Sequence, residues 1–389
     1  MCITYQTMMK KRYLDQASTT YPKPECVAKA VYEYMTGNGS NINRGCYEQA
    51  YETEEVILET RELLCELFDG PDCKNVIFTK NVTESLNIVL KGFLKSGDHV
   101  LVSSMEHNAV MRPLVQLDGV EFDRLPGNQE GIIDPNDLHR LIRPNTKLVI
   151  MAHGSNVCGA VQDAQAVGRI CAEYGIPFVL DAAQTAGHID INFEKWGLSA
   201  LAAPGHKGLL GPSGIGILLL KDSFAKLLDP LIAGGTGSAS DSEYLPSYLP
   251  DRFESGTPNL PGIYGLAASM EFLKQQGLEK LHAHEMALCA RFLDGLKDIP
   301  NVAVCGPQGL DHRVGVISLD FIGQDNAEVA YELETEFGIL TRCGLHCAPS
   351  AHKTLDTFPR GTVRFSLGFA STEEDVDGAL HAIRAICTR

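Results

Sequence analysis

A chain of 389 residues, 44% of them apolar, is long enough for two domains and able to bury a large core. Its net charge of -16, with lysines and arginines scattered singly, argues against a nucleic-acid or anionic-membrane surface and favours a small-molecule substrate or a protein partner. Twelve cysteines lie along the whole length, and residues 1–12, ending in Lys10, Lys11 and Arg12, lack the apolar core of a secretory signal. The expectation is a reducing cytoplasm rather than a disulfide scaffold.

From about residue 50 to residue 220 helix-period stretches alternate with short β-branched runs, the pattern of an α/β fold with a largely parallel sheet. Strands are predicted at 76–79, 100–103, 148–152, 178–181 and 215–220, with crossover helices at 83–94 and 164–174. The longest apolar runs, such as 215–220, are strand-sized and too short to span a bilayer. Residues 232–262, rich in Gly, Ser and Pro, predict a long loop at an active site or subunit contact. Beyond it the pattern predicts one helical stretch over 266–296, strands around Val302, Val316 and Val363, and a closing helix near 373–386. That composition predicts a smaller α+β domain. The expected division is an N-terminal segment, 1–20, packed with the small domain, a large domain, 21–262, and the small domain, 263–389.

In parallel sheets ligands gather beyond the carboxyl ends of strands, so the polar residues there carry the functional reading. Thr79-Lys80-Asn81-Val82-Thr83-Glu84 opens a helix, where backbone N–H groups and the Thr83 hydroxyl can hold a phosphate. The same turn also reads as a plain N-cap. Glu106-His107-Asn108 follows the next strand and puts an imidazole where it could stack on a planar group, or simply serve the structure. Asp181 ends an apolar strand, where a carboxylate needs a cationic partner such as a protonated ring nitrogen, unless it only caps the following turn. Gln184 and Asn156 could donate hydrogen bonds to a polar ring substituent beside it.

Gly205-His206-Lys207-Gly208 sets a lysine in a Gly-rich turn between apolar strands. Desolvation there favours the neutral amine that forms an imine with a carbonyl. The order of a nucleotide-binding P-loop is absent, because Gly208 stands where a Ser or Thr would follow the lysine. Arg342-Cys343-Gly344-Leu345-His346-Cys347-Ala348-Pro349 predicts an exposed Cys347, favoured as thiolate by His346 and Arg342. A buried structural thiol is the alternative. A metal site is not expected, since this single cluster supplies too few ligands.

Together these residues resemble the class V, fold-type I pyridoxal 5'-phosphate (PLP) enzymes, and among them the cysteine desulfurases and selenocysteine lyases of the SufS-like group. The likeness runs from Tyr13-Leu14-Asp15-Gln16-Ala17 to Ser371-Thr372-Glu373-Glu374. It implies that Lys207 is the Schiff-base lysine, Asp181 the pyridinium partner, His107 the stacking imidazole and Gln184 the contact to the phenolic oxygen. Thr83, His206 and the Val82 backbone would hold the phosphate. Thr257, in Glu254-Ser255-Gly256-Thr257-Pro258, would reach the phosphate of a neighbouring subunit, implying a homodimer with shared active sites. Arg364, with Arg342 and Asn156, would bind the substrate carboxylate, and Cys347 would take sulfur from L-cysteine as a persulfide and pass it to an acceptor, such as a protein.

The resemblance also leaves room for a selenocysteine lyase, another class V β-lyase or aminotransferase, or a non-catalytic PLP-binding partner. Cys347 favours chalcogen transfer. Three positions depart from the group: Pro204 where relatives carry Ser or Thr, Val82 in the phosphate turn, and Asn43 where the SufS-like group often has His.

Overall fold

The computed structural model describes residues 10–42 and 45–389, so Asn43 lies outside the described residues. The first elements of the described residues are a short strand, β1 (Arg12–Tyr13), and two helices, α1 (Glu25–Glu33) and α2 (Glu48–Leu67). Hydropathy hides α2, because its buried face includes Thr53, Thr60 and Arg61 beside Ile57 and Leu64. The threonines are accommodated by bonding their own helix, Thr53 to the Gln49 carbonyl at 2.9 Å and Thr60 to that of Val56 at 2.6 Å.

The large sheet then forms in turn from β2 (Val76–Thr79), β3 (His99–Ser103), β4 (Glu121–Leu125), β5 (Thr146–Ala152), β6 (Phe178–Asp181), β7 (Ala200–Pro204) and β8 (Gly216–Leu220). Between them lie helices α3 (Val82–Phe93), α4 (Asn108–Leu114), α5 (Leu138–Leu141) and α6 (Ala164–Glu173), and α7 (Asp222–Ala225) follows. The seven strands are ordered β2-β8-β7-β6-β5-β3-β4. Only β8 runs against its neighbours. Side chains alternate across the strands: Leu101, Val149, Met151, Leu180 and Leu201 join the core beneath α2 and α6, while Val100, Val102, Ile150, Val179 and Leu218 join the core beneath α3 and α4. Helices on both faces explain why these strands read as unbroken apolar runs.

Within this sheet two strands escape the sequence reading, for different reasons. The edge strand β4, Glu-Phe-Asp-Arg-Leu, is polar and largely open to solvent. Strand β7, Ala-Leu-Ala-Ala-Pro, has small residues of poor strand propensity, and its conformation is imposed by pairing between β6 and β8.

The expected single helix over 266–296 is two helices, α8 (Leu260–Gln276) and α9 (Leu278–Leu296). Gly277 divides them at φ 78, which only glycine adopts without strain. The preceding loop is correspondingly shorter than predicted, because the Asn259 side chain caps α8 by accepting the Gly262 N–H at 3.1 Å.

The C-terminal part contains β9 (Val302–Cys305), β10 (Val316–Phe321), α10 (Asn326–Phe337), β11 (Ile339–Leu340), β12 (Arg342–Gly344), α11 (Pro349–Thr354), β13 (Thr362–Ser366) and α12 (Glu373–Cys387). Four of its strands form an antiparallel sheet in the order β12-β13-β10-β9. Leu288 and Phe292 of α9, Val329 and Leu333 of α10, and Ile383 of α12 pack into one core with it. Helix α12 starts with a reciprocal capping box between Thr372 and Asp375. Strand β1 pairs parallel with β11, Arg12 opposite Ile339 and Tyr13 opposite Leu340. Among the described residues no helix is long and apolar enough to cross a membrane.

Candidate active site

Lys207 lies in the turn joining β7 to β8, and its backbone is held from two sides. On one side Gly208 leaves no room for a side chain, since a Cβ there would meet the Ala186 carbonyl oxygen at 2.3 Å. On the other, the N-terminal segment grips the turn. The His206 carbonyl accepts from the Thr20 N–H at 3.1 Å, the Thr19 hydroxyl at 3.1 Å and the Lys23 ammonium at 2.6 Å. The Thr20 hydroxyl adds a bond to the Lys207 carbonyl at 2.9 Å.

Burial pushes the Lys207 amine down to about 8, with Asp181 opposing and Arg364 and Arg342 assisting. Asp181, at the end of β6, is buried, and burial raises its pKa against one hydrogen bond from the Ala183 N–H at 2.9 Å and the charge of Lys207. Gln184 is buried one turn further on and donates to the Ala17 carbonyl at 3.1 Å. His206 is lowered to about 4 by burial and by Lys207 and Lys23, and its Nδ1 is buried without a hydrogen-bond partner.

At the next strand ends, His107 caps α4 by accepting the Ala109 N–H on Nδ1 at 3.0 Å, which leaves the proton of the neutral ring on Nε2. Burial, then the charges of Lys207 and Arg342, lower it to about 4, so the ring is neutral at physiological pH. Val82 and Thr83 begin α3, where their N–H groups have no carbonyl within the helix to reach. Asn81 caps the same turn by accepting the Glu84 N–H at 3.0 Å. Thr83, Asn87, His107, Arg112 and Gln116 share one surface cavity with Cys347.

The cysteine turn is sharply bent. Gly344, His346 and Cys347 all have positive φ, at 102, 46 and 58 degrees. Two successive non-glycine residues in the left-handed region are costly and persist only where surrounding contacts hold them. Here the Asn156 amide donates to the His346 carbonyl at 2.7 Å and the Asn108 N–H to the Cys347 carbonyl at 2.8 Å. The bend leaves Cys347 exposed. The expected help from His346 is absent: its ring is buried, bonded through Nε2 to the Thr362 hydroxyl at 3.1 Å, and lowered to about 2 by burial and Arg364. It brings no positive charge to the thiol. Arg342 is exposed and donates to the Ser18 hydroxyl at 3.0 Å.

Arg364, on β13, is only 1% exposed. Its Nη1 donates to the Asn156 carbonyl at 3.0 Å, and its Nη2 donates to Asp15 at 2.6 Å and to the Ser18 hydroxyl at 2.7 Å. Thr257 is exposed and stands apart from this group, lining a separate cavity with Lys80, Glu84, Gly214, Ser255 and Asn259.

Two residues are missed by sequence reasoning. Asp15 looks like an ordinary strand-end acid, and only its pairing with Arg364 across the fold gives it a role. Glu106 precedes His107, but its complete burial has no local signal. It accepts from the Ser103 hydroxyl at 2.5 Å and the Ala152 N–H at 2.8 Å, and desolvation raises it to about 8. Among the described residues there is no cluster of three or more His, Cys, Asp or Glu arranged to hold a metal ion.

Residues 12–378 match the sequence model of the aminotransferase class-V family. The chain belongs to that family. This aminotransferase class-V chain is 33% identical over 371 residues to a probable cysteine desulfurase of Methanothermobacter thermautotrophicus, covering 94% of its own length and 92% of the relative's. It is 29% identical to cysteine desulfurase CsdA of Escherichia coli, covering 95% and 92%. Its structure is similar to an apo cysteine desulfurase from Thermococcus onnurineus, with a TM-score of 0.90, 32% identity and coverage of 97% and 95%. The crystal structure of E. coli CsdA in its S-sulfonic acid form also matches, with a TM-score of 0.85, 28% identity and coverage of 96% and 94%. The mostly parallel sheet with a smaller α+β part is thus the fold-type I architecture of this family.

Proposed function

We propose that the protein is a PLP-dependent cysteine desulfurase that converts L-cysteine to L-alanine and takes the sulfur onto Cys347. The observation that carries this reading is the placement of an exposed thiol, in a strained and anchored turn, on the same cavity as His107 and Thr83. An aminotransferase has no use for a thiol at that position.

The residues fit the cofactor. Asp181 is a buried carboxyl in want of a cation, as a protonated pyridine nitrogen would supply, and His206 Nδ1 is a buried polar atom in want of a partner. Lys207 would hold PLP covalently, His107 would stack on it, and Gln184 and Asn156 would contact its phenolic oxygen. Thr83, His206 and the Val82 N–H would receive its phosphate at the start of α3. When bound, PLP supplies an electron sink next to the substrate amine.

The protein's own groups do the rest. Arg364 and Arg342, with Asn156, orient the substrate carboxylate, and Lys207, tuned close to neutrality, moves protons at the substrate carbons. The neutral His107 ring leaves no extra cation beside Lys207. Cys347 sulfur bonds to the substrate sulfur as the substrate's carbon–sulfur bond breaks. The electron pair stays with the substrate carbon, which takes a proton to become the methyl group of alanine. Cys347 is left as a persulfide, for transfer to a protein or small thiol.

Thr257, exposed on its own cavity, supports a homodimer in which it reaches the partner's phosphate site. The pairing of β1 with β11 supports a division into an N-terminal segment, 1–20, a large domain, 21–262, and a small domain, 263–389. The described cysteines are all free thiols, which supports a reducing, cytoplasmic setting.

The test is a single turnover of the PLP-loaded protein with L-cysteine, following alanine and the mass of the Cys347 peptide, for the parent and Cys347→Ser. Alanine together with a persulfide on Cys347, both lost in the variant, is the expected result. Equal alanine release by the variant, or reaction of the parent with L-selenocysteine alone, would replace the proposal with a selenocysteine lyase or another β-lyase.

A further inference from the structure

A guanidinium has two edges able to grip a carboxylate bidentately, Nε with Nη2 and Nη1 with Nη2, and both require an Nη2 proton. In Arg364 both Nη2 protons are committed, one to the Asp15 carboxylate at 2.6 Å and one to the Ser18 hydroxyl at 2.7 Å. Its Nε, by contrast, is buried without a partner. The side chain is therefore half-prepared for a carboxylate along its Nε edge, while the Nη2 that would complete either grip is taken by a carboxylate and a hydroxyl of its own chain. Asp15 is also the more accessible member of the pair, with 20% of its side chain exposed against 1% for Arg364.

We propose that Asp15 is a built-in stand-in for the substrate carboxylate: it neutralises Arg364 in the empty site and yields Nη2 when an amino acid binds. The inference rests on the reading of Arg364 as the substrate-carboxylate residue. A guanidinium this deeply buried is costly to leave unpaired, so an internal counter-ion keeps the arginine in place between turnovers. The same ion pair competes with every carboxylate ligand. Asp15 thus sets substrate affinity without touching the reacting atoms, as a positioning residue. Ser18, a neutral partner on the same nitrogen, brings no competing charge, and its hydroxyl donates to Asp15 at 2.8 Å.

The experiment is calorimetric titration of the PLP-loaded protein with L-alanine, which has the substrate's carboxylate but no sulfur, together with KM for L-cysteine and for cysteamine, which lacks the carboxylate. Asp15→Asn keeps an oxygen on Nη2 and removes the charge. It is expected to tighten L-alanine about tenfold and lower KM for L-cysteine to match, as for an ion pair of this kind, and to leave cysteamine unchanged. Ser18→Ala is expected to shift L-alanine by less than about threefold. Unchanged or weaker L-alanine binding by a folded, cofactor-loaded Asp15→Asn would overturn the inference. Arg364→Ala separates the two levels: loss of L-alanine binding there, with no gain in Asp15→Asn, removes the role of Asp15 alone, whereas unchanged binding in Arg364→Ala removes the substrate-carboxylate reading as well. Should Asp15→Asn not fold, Ser18→Asp carries the test with the opposite sign: a second carboxylate on Nη2 is expected to weaken L-alanine about tenfold, and no weakening would overturn the inference.

Discussion

The backbone N–H of Asn108, the first residue of α4, donates to the carbonyl of Cys347 at 2.8 Å, so the helix capped by His107 also anchors the turn that presents the thiol. Proline is tolerated at the first helical position, and the preceding residue, His107, already has the extended backbone that proline requires, at φ -76 and ψ 156. Asn108→Pro therefore removes this donor with little disturbance of the helix. The loss in stability should be about 1 kcal/mol, the usual contribution of one hydrogen bond. Persulfide formation should slow several-fold while the cofactor's absorbance at saturation is unchanged. Stopped-flow measurement with L-cysteine, set against a thermal melt, checks both.

Glu106 carries a stability signature that can be read in a pH series. Burial raises its carboxyl to about 8, so the folded protein holds this proton far more tightly than the unfolded chain does. The contribution is fully present below the unfolded value near 4.5 and is lost as pH rises through about 8. Glu106→Gln keeps a neutral group of the same shape. The difference in melting temperature between variant and parent should grow in the variant's favour from pH 5 to about pH 8.5, by the equivalent of a few kcal/mol at most. A constant difference across that range would mean that the carboxyl does not titrate there.

Lys207, lowered to about 8, must lose its proton before it can attack a carbonyl. The rate of PLP uptake by cofactor-free protein should rise with pH towards about 8 and level off above it, the neutral amine fraction increasing about tenfold per unit well below that value. Absorbance during reconstitution from pH 6 to 9.5 measures this directly. Lys207→Ala should show no such uptake.

Gly277 offers a test of the fold free of active-site effects. A Cβ placed there would meet nothing within 4 Å, yet its φ of 78 is one that side chains disfavour. Gly277→Ala should cost about 1 kcal/mol through backbone conformation alone. Denaturant unfolding should register the loss, with KM for L-cysteine unchanged.

The alternating sheet was legible because its strands are buried on both faces and stand between amphipathic helices, so that Phe178–Asp181 and Val76–Thr79 announced themselves. Local composition also marked Lys207, Asp181 and Cys347, since each is a reactive side chain in an unusual setting. Other features depend on remote partners. Strand β7 is extended because β6 and β8 pair with it, and Glu106 is buried because the end of β5 closes over it. His346 was misread for the same reason: Thr362 and His352, which bury it, come later in the chain. The part played by Asp15 depends on a partner 349 residues away.

That separation bears on the order in which the protein is made. The strands of the large sheet have all been synthesised by residue 220, and their pairings are confined to residues 76–220. The segment from Arg12 to Ser18 is made before any of these strands, yet it has to wait for β11 and β13 before its pairings with Ile339 and Arg364 can form. Contacts of such length are slow to close and are made late. A nascent chain can complete its sheet, with Lys207 between β7 and β8, while Arg364 is still to be synthesised. The pairing of Asp15 with Arg364 is then made only after the sheet that carries Lys207, when two segments far apart in the chain meet.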